Sequence, residues 1–249
     1  MSRPRGFVFY EGPSQLDGAP IVAILTGLAS GSTNGKTGHM LQTWILRSDV
    51  DPITAVRTDA DESICGDCKH RGAYGPLYRG ALKNRRTCYV RLDTAPNGVY
   101  QGYRRGIYPR LQLGECRELI RSGAKIRGGS YGDPAAVPYW AWYALLDGMV
   151  PGTAYTHQWR RFPELASFCM ASVDTPQERV EAKLLGFRTF RVRKYGDPVE
   201  AYETQCPASE EMGHKTNCVS CAACGGHRSK AKCDVTIVAH GAGAAAFAA

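Results

Sequence analysis

Apolar residues come in short runs along the first sixty positions. Residues 7–10, 20–25 and 41–46 are such runs, and the Gly-rich or polar stretches EGPSQLDG and GSTNGKTG separate them. Short apolar runs between turn-forming breakers predict strands. Residues 61–90 are polar, contain cysteines and lack periodicity, which predicts a long functional loop. Beyond this loop the pattern changes to strand–helix alternation. Strands are predicted at 88–92 (CYVRL), 124–129, 153–156, 168–173 and 187–192, with a last one within 233–241. Helical spacing sets Leu113, Cys116, Leu119 and Ile120 on one side of a helix over 111–120, and 139–146 reads as another. Thr175-Pro176-Gln177-Glu178 is a strong helix start, with Thr as N-cap, Pro at the first position and an acid in the first turn. That helix stops at Gly186.

Strands recurring with helices between them indicate parallel βα units. The fold class expected is α/β, either a partial (βα) barrel or an open parallel sheet. An N-terminal β-rich region (1–60) precedes a Cys loop and α/β core (61–203), and a Cys-rich metal-binding segment (204–249) follows. The AHGAGAAAFAA tail is of low complexity and expected to be disordered at its tip.

Composition narrows the class. The 249 residues are 43% hydrophobic and 10% aromatic, enough to build a core and to exclude general disorder. No run of about 18 apolar residues is present, so no membrane-spanning helix is expected. The N-terminus has no signal-peptide pattern, which points to the cytoplasm. A net charge of +8 suits a polyanionic partner.

In a reducing compartment, ten cysteines favour metal ligation over disulfides. Cys206, Cys218, Cys221 and Cys224 follow C-x11-C-x2-C-x2-C, and four thiolates suit a 4Fe-4S cluster or a tetrahedral zinc. The tight triplet with Cys206-Pro207 is closer to ferredoxins than to zinc fingers. Cys65, Cys68 and Cys88 form a second group, whose three thiolates leave one coordination position free; on zinc, His70 would close it. Cys116, Cys169 and Cys233 stand alone and read as buried free thiols. His214 and His227 read as exposed loop histidines.

Three predicted strand ends carry polar residues, and parallel α/β folds gather function there. Asp133, His157 and Asp174 are therefore the candidate catalytic residues, with helix capping as the alternative for the two aspartates. GSTNGKT is no P-loop, because three residues rather than four separate Gly31 from the Gly-Lys pair. Asn34, Lys36 and Thr37 remain candidate cofactor contacts from a turn. Basic clusters (Lys83, Arg85 and Arg86; Arg104 and Arg105; Arg160 and Arg161; Arg188, Arg191 and Arg193) are interspersed with Tyr and Trp, including Trp142 and Trp159. Such a mixture suits nucleic-acid backbone contacts with base stacking.

The order NGKTG, CGDC, TCYV, IRGGSYGDP, AYTHQW, MASVDT and a CP…CxxCxxC tail resembles bacteriophage proteins of the gene-product-88 type over residues 30–240. These are in turn distantly similar to radical S-adenosylmethionine barrels, where a three-Cys cluster precedes the barrel and an auxiliary cluster can follow it. The resemblance implies one or two 4Fe-4S clusters and, if phage-encoded, a host-cytoplasmic location. The third cysteine is displaced to 88, so two clusters are implied more directly than S-adenosylmethionine. The expected function is a redox or radical enzyme, radical-SAM-like or another iron–sulfur oxidoreductase or transferase, acting on a nucleotide or nucleic acid. The alternative is a zinc-stapled nucleic-acid-binding protein without catalysis.

Overall fold

The computed structural model describes residues 4–29, 34–74, 82–84, 86–120, 124–147, 152–241, 244 and 247. The chain runs β1 (Gly6–Pro13), β2 (Pro20–Thr26), β3 (Leu41–Arg47), α1 (Pro52–Arg57), α2 (Glu62–Cys65), β4 (Ala73–Tyr74), β5 (Leu82–Asn84), α3 (Ala95–Arg104) and α4 (Leu113–Leu119). It continues β6 (Ile126–Tyr131), α5 (Tyr139–Leu145), β7 (Thr153–Thr156), β8 (Met170–Val173), α6 (Pro176–Leu184), β9 (Thr189–Arg193), β10 (Glu203–Gln205), α7 (Cys218–Cys221) and β11 (Asp234–Val238). Nine strands form one open sheet in the order β1-β2-β3-β6-β7-β8-β9-β11-β10, and β4 pairs with β5 separately.

The first three strands are an antiparallel meander, and the six-residue polar connection between β1 and β2 suits that pairing. From β3 onward every pair is parallel. The sheet does not close on itself, so the open-sheet alternative describes it. All three sequence segments contribute strands: β1–β3 from the first, β6–β9 and most of the helices from the second, and β11 from the last.

The helices bury the sheet. Those flanking the meander are α4 and α5 on β1, and α1 and α3 on β3, while α6 covers β8 and β9. Trp142 of α5 is fully buried between Phe9 and Phe168. Helix α6 begins as its sequence predicts, with Thr175 Oγ1 accepting from the Glu178 amide and Pro176 at the first position.

Two sequence expectations are corrected here. Residues 88–92 form no strand; the Arg86 guanidinium donates to the carbonyls of Cys88 and Val90, and this stretch is coil that ends in a turn at Leu92. Trp142 and Trp159 are core residues, buried by packing and by indole N–H bonds to backbone carbonyls, and offer no stacking surface. The tail tip lies outside the described residues, apart from Ala244 and a buried Phe247.

Candidate functional site

The C-terminal cysteines are assembled by main-chain bonds to three separate elements. The Cys206 amide donates to Thr236 of β11, Cys218 to Lys36, and Cys224 O accepts from Ala154 of β7. Asn217 caps the single turn of α7, which carries Cys218 and Cys221. Ala222 then takes a left-handed conformation (φ 48°) that turns the chain before Cys224. Buried Arg188 fixes the exit by donating to the carbonyls of Ala223, Gly226 and Cys233. The four thiols are mutual neighbours: burial first, then Cys206, Cys218 and Cys221, push the Cys224 thiol up to about 12.

The turn containing Asn34, Lys36 and Thr37 lies against this segment. Asn34 Oδ1 accepts from the amides of Lys36 and Thr37, and the Lys36 and Thr37 carbonyls accept from Cys218 and Val219. Lys36 Nζ reaches His240 Nε2 at 3.4 Å. A residue with a Cβ at Gly38 would strike Val219, so the close approach of the turn requires glycine there.

Cys65, Cys68 and Cys88 are brought together at the other side of the site. Cys65 ends α2, and Gly66 (φ 60°) turns the chain under Gln158, which bonds Cys65 O and Asp67. The Cys88 amide donates to His70 O. Burial raises all three thiols, and the Cys65 thiol is raised further by Asp61, Cys68 and Cys88. His70 is committed elsewhere: Nε2–H donates to Asp174 at 3.0 Å and Nδ1 lies 2.7 Å from Thr87 Oγ1. It therefore does not complete a fourth coordination position as placed.

All seven cysteines line one cavity of about 410 Å³. Its floor is one face of the sheet, marked by the two-residue period of Tyr131, Thr153, Tyr155, Phe190, Val192, Val235 and Ile237. Asn34, Lys36, Thr37, Asp133 and His157 also line it. Thus the site occupies a face of the parallel sheet as well as its carboxyl end, where the sequence placed it. As the side chains stand, no group of three or more His, Cys, Asp or Glu among the described residues is arranged to hold a metal ion.

Asp133, His157 and Asp174 follow the adjacent parallel strands β6, β7 and β8, as expected. Their roles differ. Asp133 is buried and caps the next turn through Ala135, and it also accepts from Thr156 Oγ1 and from the His157 amide at 2.7 Å. It thereby positions His157. Asp174 does not cap α6, since Thr175 does; its carboxylate holds His70 and Lys69. Burial opposes ionisation of Asp174, but the His70 hydrogen bond and charge, with Lys69, hold its carboxyl below the usual range. The His70 and His157 rings meet edge to face at 5.5 Å, which links the two aspartates through one side of the cavity.

Three of the expected nucleic-acid contacts fall away. Arg188, Arg191 and Arg193 are buried and internally bonded, Arg191 bidentately to Glu203 and Arg193 to Gln205 and Asp197 O, so they present no surface to nucleic acid. Arg160 pairs with Glu181 but stays exposed, and Arg104, Arg105 and Arg161 are exposed as well. Arg85 and the Lys83 side chain lie outside the described residues. His214 and His227 bond backbone carbonyls away from the cavity. Cys116 and Cys169 are fully buried single thiols, as expected, whereas Cys233, expected to be buried too, is only half-buried. Sequence reasoning missed Tyr131, Arg86 and Arg127 as cavity residues. The alternation Arg127, Gly129, Tyr131 was the available signal for two of them.

Compared with known proteins, the chain matches no family model, no curated protein and no solved structure.

Proposed function

We propose that the cavity is an iron–sulfur site and that the protein is a redox or radical enzyme acting on a nucleotide or nucleic-acid component. The observation that carries this reading is the placement of both cysteine groups on one cavity. Separate structural staples have no physical reason to open on a common space. Cys206, Cys218, Cys221 and Cys224 supply four thiolates for one centre. Cys65, Cys68 and Cys88 supply three for another, and the engagement of His70 by Asp174 and Thr87 favours an open position there over a closed structural zinc. When bound, such centres supply electrons and an iron position accessible to substrate.

The chain's own residues have the remaining tasks. Asp133 holds the His157 backbone so that the ring stands on the cavity wall, where it can exchange a proton with substrate. Asp174 orients His70 beside it. Lys36 and Arg127 place positive charge near the four-cysteine group. Sheet residues, Cys65, Cys68, His70, residues 86–90 and the C-terminal segment together wall the space.

The test is reduction of anaerobically purified protein by dithionite. A broad absorption near 400 nm that bleaches on reduction and returns with an oxidant supports the reading. A colourless protein holding only zinc refutes it and leaves the structural alternative.

A further inference from the structure

Three buried polar atoms on the cavity wall, Arg86 Nε, Tyr131 Oη and His157 Nε2, have no hydrogen-bond partner among the described residues. Buried polar groups are nearly always satisfied, and each exception calls for a missing partner. These three come from separate elements: the coil after β5, the end of β6 and the residue after β7. They are nonetheless neighbours. All three side chains line the same cavity, and Asp133, two residues beyond Tyr131, accepts the His157 amide and ties the two strand ends together. The Arg86 charge acts on the Tyr131 phenol.

The set is rich in donors. Burial, more than any neighbour, keeps the Tyr131 phenol protonated, so it has a proton to give. Arg86 Nε carries a hydrogen at all accessible pH. The sole carboxylate among the residues lining the cavity, Asp133, is already saturated by Ala135, Thr156 and the His157 amide. No second carboxylate lines the wall to receive these donors. A ligand that meets them must bring acceptor oxygens, and beside a guanidinium a negative charge on those oxygens is favoured.

We propose that Arg86, Tyr131 and His157 form a subsite for the oxyanion group, phosphate or carboxylate, of a small molecule that enters this cavity. The proposal deepens the enzymatic reading by giving the chemical class of its substrate. The donor set itself stands whichever metal the thiols hold.

Isothermal titration of the full chain as purified tests it, with inorganic phosphate in one arm and acetate in the other. The wild type should bind at least one of them saturably, and the arm that binds identifies the anion. Tyr131→Phe removes only the unpartnered hydroxyl, so it should melt no lower than wild type yet bind about tenfold more weakly. Its metal content should not change. No saturable binding of either anion by the wild type overturns the proposal, as does unchanged affinity in Tyr131→Phe. Loss of metal from Tyr131→Phe with anion binding intact would assign the hydroxyl to the metal centre and equally overturn it. Anion binding in a protein without iron would refute the enzymatic reading and leave the subsite standing.

Discussion

Residues 61–74 are held by charged and polar side chains, some within the segment and some from the ends of β7 and β8. Arg71 pairs with Asp59, Asp61 and Glu62, Asp174 holds His70 and Lys69, and Gln158 spans Cys65 and Asp67. Residues 206–224 are fastened by main chain instead, through amide and carbonyl bonds to β7, β11 and the Lys36 turn, with Arg188 on three carbonyls. Among the described residues this segment makes no ion pair. The difference separates two dependences. The first loop has its own polar framework and keeps its place without a metal. The second has one turn of helix, a left-handed alanine and four thiols of which only Cys206 and Cys224 are buried, so its order is expected to lean on a metal at those thiols.

The largest effect should follow from breaking the second region. Cys224→Ser should remove one metal centre and lower the melting temperature by about 10 °C, a few kcal/mol at roughly 2–4 °C each in a domain of this size. Scanning calorimetry with metal analysis checks both. Next, Arg188→Met leaves three buried carbonyls unpaired and should cost about 3 kcal/mol in urea denaturation. Should it cost nothing, the main-chain fastening of residues 206–224 has been overstated.

A smaller loss, about 2 kcal/mol, is expected from Asp174→Asn, which weakens the His70 and Lys69 contacts. Faster proteolysis should then appear at residues 61–88 and not at 206–224. The same carboxylate gives a pH dependence. Its folded-state pKa is depressed below the ordinary aspartate value of about 3.9, so its contribution is complete above that value and is lost as pH falls through the folded one. Hydrogen exchange in acid should therefore rise in the first loop below about pH 4. The smallest effect is assigned to Cys88→Ala. It should remove metal from the three-cysteine group, leave the C-terminal centre in place and cost under about 1 kcal/mol. A melting loss as large as that of Cys224→Ser would erase the distinction between the two regions.

Much of the scaffold was legible in the sequence, because burial imposes a period there. β1–β3 are apolar runs bounded by turn residues, β6–β9 recur at the spacing of βα units, and Thr175-Pro176 marks α6 without tertiary help. Residues 88–92 alternate like a strand, but Arg86 and His70 supply their backbone partners, so no strand forms. α3 was hidden by Pro96, Asn97, Gly98 and Gly102, which read as turn residues. Its buried Val99 and Tyr100 and the close packing of Tyr108 on Gly102 override that propensity. Of the site, the cysteine groups and the three strand-end residues were readable, because ligand spacing and strand order are local. That both groups face one cavity was not, since Cys65 and Cys224 meet it only through the register of a nine-stranded sheet. The arginines of β9 looked like a basic surface, because charge counting ignores Glu203 and Gln205 on the neighbouring chain segment.

The central claim is that the shared cavity holds iron–sulfur centres at both cysteine groups. It is tested most directly by counting iron, acid-labile sulfide and zinc per chain in anaerobically purified wild type. The account predicts iron and sulfide in equal amounts, four of each per centre, with negligible zinc. Zinc without sulfide, in a protein that is otherwise folded and stable, would contradict it.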